Sequence, residues 1–385
     1  MTFRDNPLGP VVIAPAPFKG ALSAPDAARA IAAGVRLAAA GAETRLVPVA
    51  DGGEGTLDAI VAASGGRTRA FEVDDPLGRP VVAEIGLLRG GTCVVELARA
   101  SGFERLWEDE RDPEATSTYG TGQLIRAALD FEPKRIIVTV GGSATNDGGL
   151  GIARALGARL LDADGAELDG TGDDLGDVAT IDRSGLDPRL GAVAIEVACD
   201  VRNPFYGLEG AAFVFAPQKG ADGEAVMRLD AGLARLARVL AASTGVDVQA
   251  IAGSGAAGGA AGGMAALLGA RIIPGAELVL DAVRLREQIE GATLCITGEG
   301  RLDEQTLNGK APAAVAAACR EAGVPCIGVC GELLLLPGLV RRMGLVAAFP
   351  IGRTVTPLAE AVAATETDLA AMGAAIGGLA GSLLW

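Results

Sequence analysis

Three glycine-rich segments combine carboxylates, hydroxyls and lysines in patterns that could hold a metal ion or a phosphate. In Asp51-Gly52-Gly53-Glu54-Gly55-Thr56, two carboxylates stand among three glycines. Glycine lets the backbone approach a ligand closely, and hard oxygen donors suit Mg²⁺. Glu54 is therefore a candidate metal ligand, Gly52 and Gly53 are candidate cofactor-binding positions, and Asp51 is a candidate base. The second segment, Gly141-Gly142-Ser143-Ala144-Thr145-Asn146-Asp147-Gly148-Gly149, follows the apolar run Ile136–Val140. A glycine loop between a strand and a helix is an anion cradle, and Ser143, Asn146 and Asp147 are candidate substrate-binding residues there. The third runs from Gly298-Glu299-Gly300-Arg301-Leu302-Asp303 to Gly309-Lys310. Its mixture of acids, bases and glycines suits a nucleotide with its metal: Gly298, Glu299, Arg301 and Lys310 for the nucleotide, Asp303 for the metal.

Shorter signals add single residues. Lys19, in Phe18-Lys19-Gly20, precedes a helical stretch and could hold a phosphate or carboxylate; a surface lysine in a turn is the simpler explanation of that tripeptide taken alone. Asp200 and Arg202 lie in Cys199-Asp200-Val201-Arg202-Asn203-Pro204, where Asp200 is either a base or metal ligand, or the start of an Asx turn. Lys219 stands in Pro217-Gln218-Lys219-Gly220.

Composition narrows the chemistry. The 385 residues include no histidine, which excludes histidine triads, histidine-bound metals and an imidazole base. Proton transfer falls to the remaining titratable groups, and any metal site would be built from oxygen donors. With 33 Lys plus Arg against 48 Asp plus Glu, the net charge of −15 disfavours nucleic acid and anionic membranes as partners. The six cysteines form no C-x-x-C pair and read as reduced, buried thiols of a cytoplasmic protein. Met1–Pro10 has no apolar core of a signal peptide. Val248–Ala270 is uncharged but holds seven glycines, too little transfer energy for a membrane span.

These segments must be positioned by an α/β framework, because short β-branched runs alternate with alanine-rich helical stretches. Strands are expected at Val11–Ala14, Arg45–Val49, Arg135–Val140, Val193–Ala198, Ala211–Phe215, Leu294–Thr297, Val324–Val329 and Leu345–Pro350. Val81–Leu87 and Thr92–Leu97 lack a helical spacer and are expected to pair antiparallel. Helices are expected at Ala221–Ser243 and Ala311–Ala322. Parallel units at both ends with a different middle predict a discontinuous, doubly wound parallel-sheet domain over 1–70 plus 284–385, and an inserted α/β domain of mixed sheet over 71–283. Gly253-x-Gly255-x-x-Gly258 matches a dinucleotide pattern, but the surrounding glycine and alanine run suits a close-packed helix better, so NAD is not expected. Asp162–Asp174 misses the calcium-loop register and reads as a solvated loop.

The loops together resemble those of the bacterial glycerate kinases. The matching stretches are Phe18-Lys19-Gly20, Val47–Thr56, Gly120–Ile125, Gly141–Gly149, Asp200–Pro204, Pro217–Ala221, Gly255–Gly259 and Ile296–Asp303, in one order over nearly the whole chain. The resemblance implies a two-domain fold with one flavodoxin-like domain, a requirement for ATP and Mg²⁺, and 2-phosphoglycerate as the usual product. Where the family has Asp-Ser before Phe-Lys, this chain has Ala16-Pro17, and Ala21, Ala216 and Glu332 are further departures. On this reading D-glycerate is phosphorylated near Ser143–Asp147. Its carboxylate meets Lys19, Arg202 or Lys219, its hydroxyl gives its proton to Asp51 or Asp200, and the nucleotide lies on Gly298–Lys310. The expected partners are glycerate and ATP, with a homodimer left open. A kinase for a related hydroxy acid such as tartronate and a non-catalytic sugar-acid-binding relative are the alternatives.

Overall fold

The computed structural model describes residues 9–50, 52–304, 306–308, 310–352, 354 and 356–382. The strands, in chain order, are β1 Val11–Pro15, β2 Thr44–Leu46, β3 Arg67–Asp74, β4 Pro80–Leu88, β5 Thr92–Glu96, β6 Arg135–Thr139, β7 Arg159–Leu161, β8 Thr180–Asp182, β9 Ala194–Ala198, β10 Arg271–Ile273, β11 Leu294–Leu302, β12 Cys326–Leu333 and β13 Ala347–Pro350. Two compact units result. The first gathers the described parts of Met1–Asp51, Asp58–Gly65 and Ala276–Trp385; the second comprises Gly52–Leu57 and Gly66–Gly275.

In the first unit all strands are parallel, in the order β13-β12-β11-β1-β2. This is the flavodoxin-like order, with its switch point between β1 and β11. Every residue of β1 is buried, because helices cover both faces of such a sheet and leave no wet side to alternate with. Helix Ala24–Ala38 starts at Ser23, whose hydroxyl accepts the Asp26 N–H, with a proline in the first turn. It packs against the long helix Leu358–Ser382. Gly34 faces the Ala370 backbone and Gly373 faces that of Ile31, each too close for a Cβ. Glycine here lets two helices meet backbone to backbone.

The second unit holds a mixed sheet in the order β10-β9-β6-β5-β4-β3. The four strands from β10 to β5 are parallel, while β4 pairs antiparallel with both neighbours. A small antiparallel pair, β7 and β8, stands apart. One core lies under the sheet around Ile136, Val138 and Leu124; a second is built around Phe205 and the long helix Gly223–Thr244.

Ala211–Phe215 is a helix, not the strand expected from its apolar run. Five apolar residues do not distinguish a buried strand from a buried helical turn. The edge of β9 that such a strand would need is occupied by β10, a three-residue strand that the sequence pattern misses. Gly253–Gly258 is a run of turns, and the helix begins only at Ala260. Among the described residues, no helix is long and apolar enough to cross a membrane.

Candidate active site

The carboxyl ends of β5, β6 and β9 lie side by side, with Glu96 opposite Thr139 and Thr139 opposite Ala198. Ligands of open α/β sheets bind at such ends. From β6 the chain enters Gly141–Gly149, which is held by buried side chains. Asp147 is fully buried. Its Oδ2 accepts from the Thr118 N–H and hydroxyl, both at 2.7 Å, and from Gly151 N–H at 3.2 Å; Oδ1 accepts from Gly149 N–H at 2.9 Å. Burial pushes this carboxyl above its ordinary range, and the four donors pull the other way. The Ala144 N–H donates to the Ser101 carbonyl and the Gly148 N–H to that of Gly258. A Cβ on Gly258, which has φ +66°, would collide with Thr145 and Asn146. The glycine pattern of 253–258 thus serves close packing against this loop.

Lys219, in a short 3₁₀ turn, is buried beside the same loop. Its ammonium donates to the Thr145 carbonyl at 2.6 Å and to Ser143 Oγ at 3.5 Å. Burial draws its pKa down to about 7, with the Asp147 charge opposing. Next to Thr145, both amide atoms of Asn146 are buried without a hydrogen-bond partner. Leaving a buried polar group unsatisfied costs about 1–3 kcal/mol, so two on one side chain require an explanation. A ligand with one donor and one acceptor supplies it. Thr139 Oγ1 and Ser254 Oγ are likewise buried and without a partner.

The loop 52–57 joins this edge. Gly141 N–H donates to the Gly52 carbonyl at 3.1 Å, and Gly142, at φ +72°, leaves room for the Glu54 carboxylate that a Cβ would displace. The anchor is Glu96, buried at the end of β5. Its two oxygens accept from Gly55 N–H at 3.1 Å and Leu57 N–H at 2.9 Å, with Arg99 at 3.5 Å. Asp200 is exposed and accepts from Gly275 N–H at 2.7 Å, and Arg202 is exposed. Asp51 lies outside the described residues. Glu54, Ser143, Asn146, Asp147, Asp200 and Lys219 therefore belong to loops of one sheet edge. Glu96 and Thr118 were missed by the sequence reading. The available signal was an acid closing the apolar run Thr92–Leu97, a position where an unpaired carboxylate would be costly.

In the first unit, Ala16 N–H donates to the Gly298 carbonyl at 2.7 Å, which sets the Lys19 loop beside Gly298 at the switch point. Lys19 and Arg301 are exposed. Arg301 pairs with Asp303 at 3.1 Å and with Glu332 at 3.7 Å. Thr306 Oγ donates to Glu299 at 2.8 Å, and its N–H to Asp303 at 3.3 Å. Lys310 is the N-cap of helix Ala311–Glu321, whose first turn has no side-chain cap. Pro312 carries no N–H and the Ala313 and Ala314 N–H groups donate to the Lys310 carbonyl, so the cation offered to an anion here is Lys310 itself. The donors are carboxylates and hydroxyls, without imidazole, and such hard donors fit Mg²⁺.

Residues 11–380 match the family model of the glycerate kinase family. A glycerate kinase of Halalkalibacterium halodurans is 45% identical over 353 residues, covering 91% of this chain and 93% of its own. A glycerate 2-kinase of Escherichia coli K12 is 45% identical over 352 residues, covering 91% and 92%. A crystal structure of a Salmonella typhimurium LT2 protein ascribed to glycerate kinase 2 superposes with a TM-score of 0.87 at 44% identity, over 97% and 98% of the two chains. With the glycine loops in place on a flavodoxin-like sheet and a mixed sheet, the chain belongs to the glycerate kinase family and is an enzyme of that family.

Proposed function

We propose that the chain transfers the γ-phosphoryl group of ATP to a hydroxyl of D-glycerate, giving 2-phosphoglycerate. The observation that carries this reading is the pairing of the unpartnered Asn146 amide with the buried Lys219 in one loop cluster. A hydroxy acid offers a carboxylate to the ammonium and both a hydroxyl donor and acceptor oxygens to the amide. The backbone around Ser143 and Asp147 is already hydrogen-bonded, so binding orders little. Asp147 acts as the fastener of the loop, and Arg202 is an outer cation for the acid.

A carboxylate, Asp51 or Asp200, takes the proton of the attacking hydroxyl. Loss of the true base lowers kcat by about 10²–10⁴-fold, which Asp51→Asn and Asp200→Asn variants would separate. Nucleotide phosphates are met by Lys310, aided by Lys19, Arg301 and the Gly298 backbone. Glu54 and Asp303 are the candidate oxygen donors to Mg²⁺, and Glu299 with the Gly52-Gly53 backbone are candidate contacts for the nucleotide. Bound Mg²⁺ would neutralise phosphate charge.

Incubation with ATP, Mg²⁺ and D-glycerate, followed by phosphorus NMR, tests the assignment. A doublet from phosphate on the C2 oxygen is expected. A C3 phosphate would overturn the regiochemistry. Faster turnover of tartronate would replace the substrate, and absence of any phosphoryl transfer would overturn the proposal.

A further inference from the structure

Three of the six cysteines meet inside the first unit. Cys295 and Cys326 are direct partners on the adjacent parallel strands β11 and β12. Cys319 comes from helix Ala311–Glu321, which packs against both β11 and β12. All three are buried, none is in a disulfide, and their sulfurs lie within 4.8 Å of one another. Among the described residues, no other trio of cysteine or carboxylate side chains is so gathered. The preference of cysteine for interiors explains burial, but it does not explain three sulfurs from three elements turned to one point. Cys330, also on β12, instead directs its sulfur to the Phe349 carbonyl.

We propose that Cys295, Cys319 and Cys326 form a three-thiolate site for a soft divalent d¹⁰ metal ion. Sulfurs at about 2.3 Å from a central ion stand roughly 4 Å apart, inside the observed spread. Each thiol releases one proton as its sulfur–metal bond forms; no electron is transferred and no disulfide is made. Three thiolates around a divalent ion leave one net negative charge, whereas a monovalent ion would leave two. A dry core therefore favours the divalent ion. Because β11 runs into Gly298–Asp303 and the helix begins just after Lys310, the ion would tie together the two elements that carry this loop.

The test uses the full chain, kept reduced, titrated with Cd²⁺ and followed by ultraviolet sulfur-to-cadmium charge transfer. One Cd²⁺ per chain is expected, with a Tm that rises with Cd²⁺ concentration. Cys330→Ser should keep the band and Cys319→Ser should lose it. Cys319→Ala, with an apolar side chain suited to the core and its fold verified by circular dichroism, must lose it as well. Failure of the native chain to give a saturable band, or a band that persists in folded Cys319→Ala, overturns the site. The readout does not involve phosphoryl transfer, so it stands or falls separately from the kinase reading.

Discussion

Gly141–Gly149 and Gly298–Lys310 are both glycine-rich loops at the ends of parallel strands, yet they are built in opposite ways. The first is stitched together by buried groups: Asp147 takes four donors and Lys219 bridges to Thr145. Its exposed charge is minimal. The second keeps Arg301 exposed and Glu299, Asp303 and Lys310 only half-buried, with partners drawn from neighbouring side chains. The difference suggests a division of labour. A small acid must be gripped by a few fixed groups, because it brings few atoms to order a loop. A nucleotide with its triphosphate brings enough charge to organise a looser one. Substitutions in the first loop should therefore act on stability and glycerate together, and substitutions in the second on nucleotide alone.

The largest effect is expected at Lys219. Lys219→Met keeps the length of the side chain and removes the charge. On the proposed reading kcat/KM for glycerate falls by about 10²–10³-fold, as when a buried charge-stabilising donor is removed. Stability should move the other way. A lysine held at about 7 is neutral in the folded chain above that pH, whereas the unfolded chain stays protonated up to the usual range near 10.5. Folding thus releases a proton, the penalty is full below pH 7, and native stability rises as pH climbs from 7 toward 10.5. Lys219→Met should be more stable than the native chain at pH 7 and should lack that rise. Native KM for glycerate should increase as the pH passes 7 and the ammonium is lost, while the variant's stays flat. A variant with unchanged glycerate kinetics would break the contrast between the loops.

The strand-loop-helix rhythm reveals the two glycine loops, because buried parallel strands and glycine runs are local signals. Asn146 and Lys219 could be named by residue type, but not their burial, which depends on contacts such as that of Lys219 with Thr145, 74 positions away. Glu96 and Thr118 are invisible for the same reason: Glu96 accepts a backbone N–H 41 residues away, and Thr118 donates to the Asp147 carboxylate 29 residues away. Ala211–Phe215 failed because five apolar residues satisfy both periodicities and only the occupied edge of β9 decides between them. Asp51, one of two candidate bases with Asp200, lies outside the described residues.

Next in size is Asp147→Asn. Its amide presents N–H to a donor set that needs acceptors, at Thr118, Gly149 and Gly151. A loss of about 2–3 kcal/mol, read as a lower denaturant midpoint, is expected, with glycerate turnover falling in parallel. Stability unchanged within error would mean that the loop is not fastened there. Glu96→Gln is expected to be milder. Glutamine keeps one acceptor for Gly55 or Leu57 and loses the other, so the 52–57 loop loosens while the fold persists. A decrease of about tenfold in kcat, with KM for glycerate nearly unchanged, would mark Glu96 as a positioning residue; a proportional loss of Tm and kcat would mark it as merely structural.

The smallest effect sharpens the comparison from the other side. Arg301 is exposed, and so is its partner Glu332; the closer partner, Asp303, is more shielded. Exposed pairs of this kind contribute about 0–1 kcal/mol, because solvent screens them and ordering two long side chains costs entropy. Arg301→Ala should therefore leave Tm within about a degree or two of the native value. If the loop is organised by nucleotide rather than by its own pairs, the variant should raise KM for ATP about threefold to tenfold and leave KM for glycerate unmoved. Added salt should weaken ATP binding more in the native chain than in the variant, since the missing charge is the one that salt would have screened. An Arg301→Ala protein that loses stability as Asp147→Asn does would show that the second loop is fastened internally as well, and the division of labour between the two loops would fail.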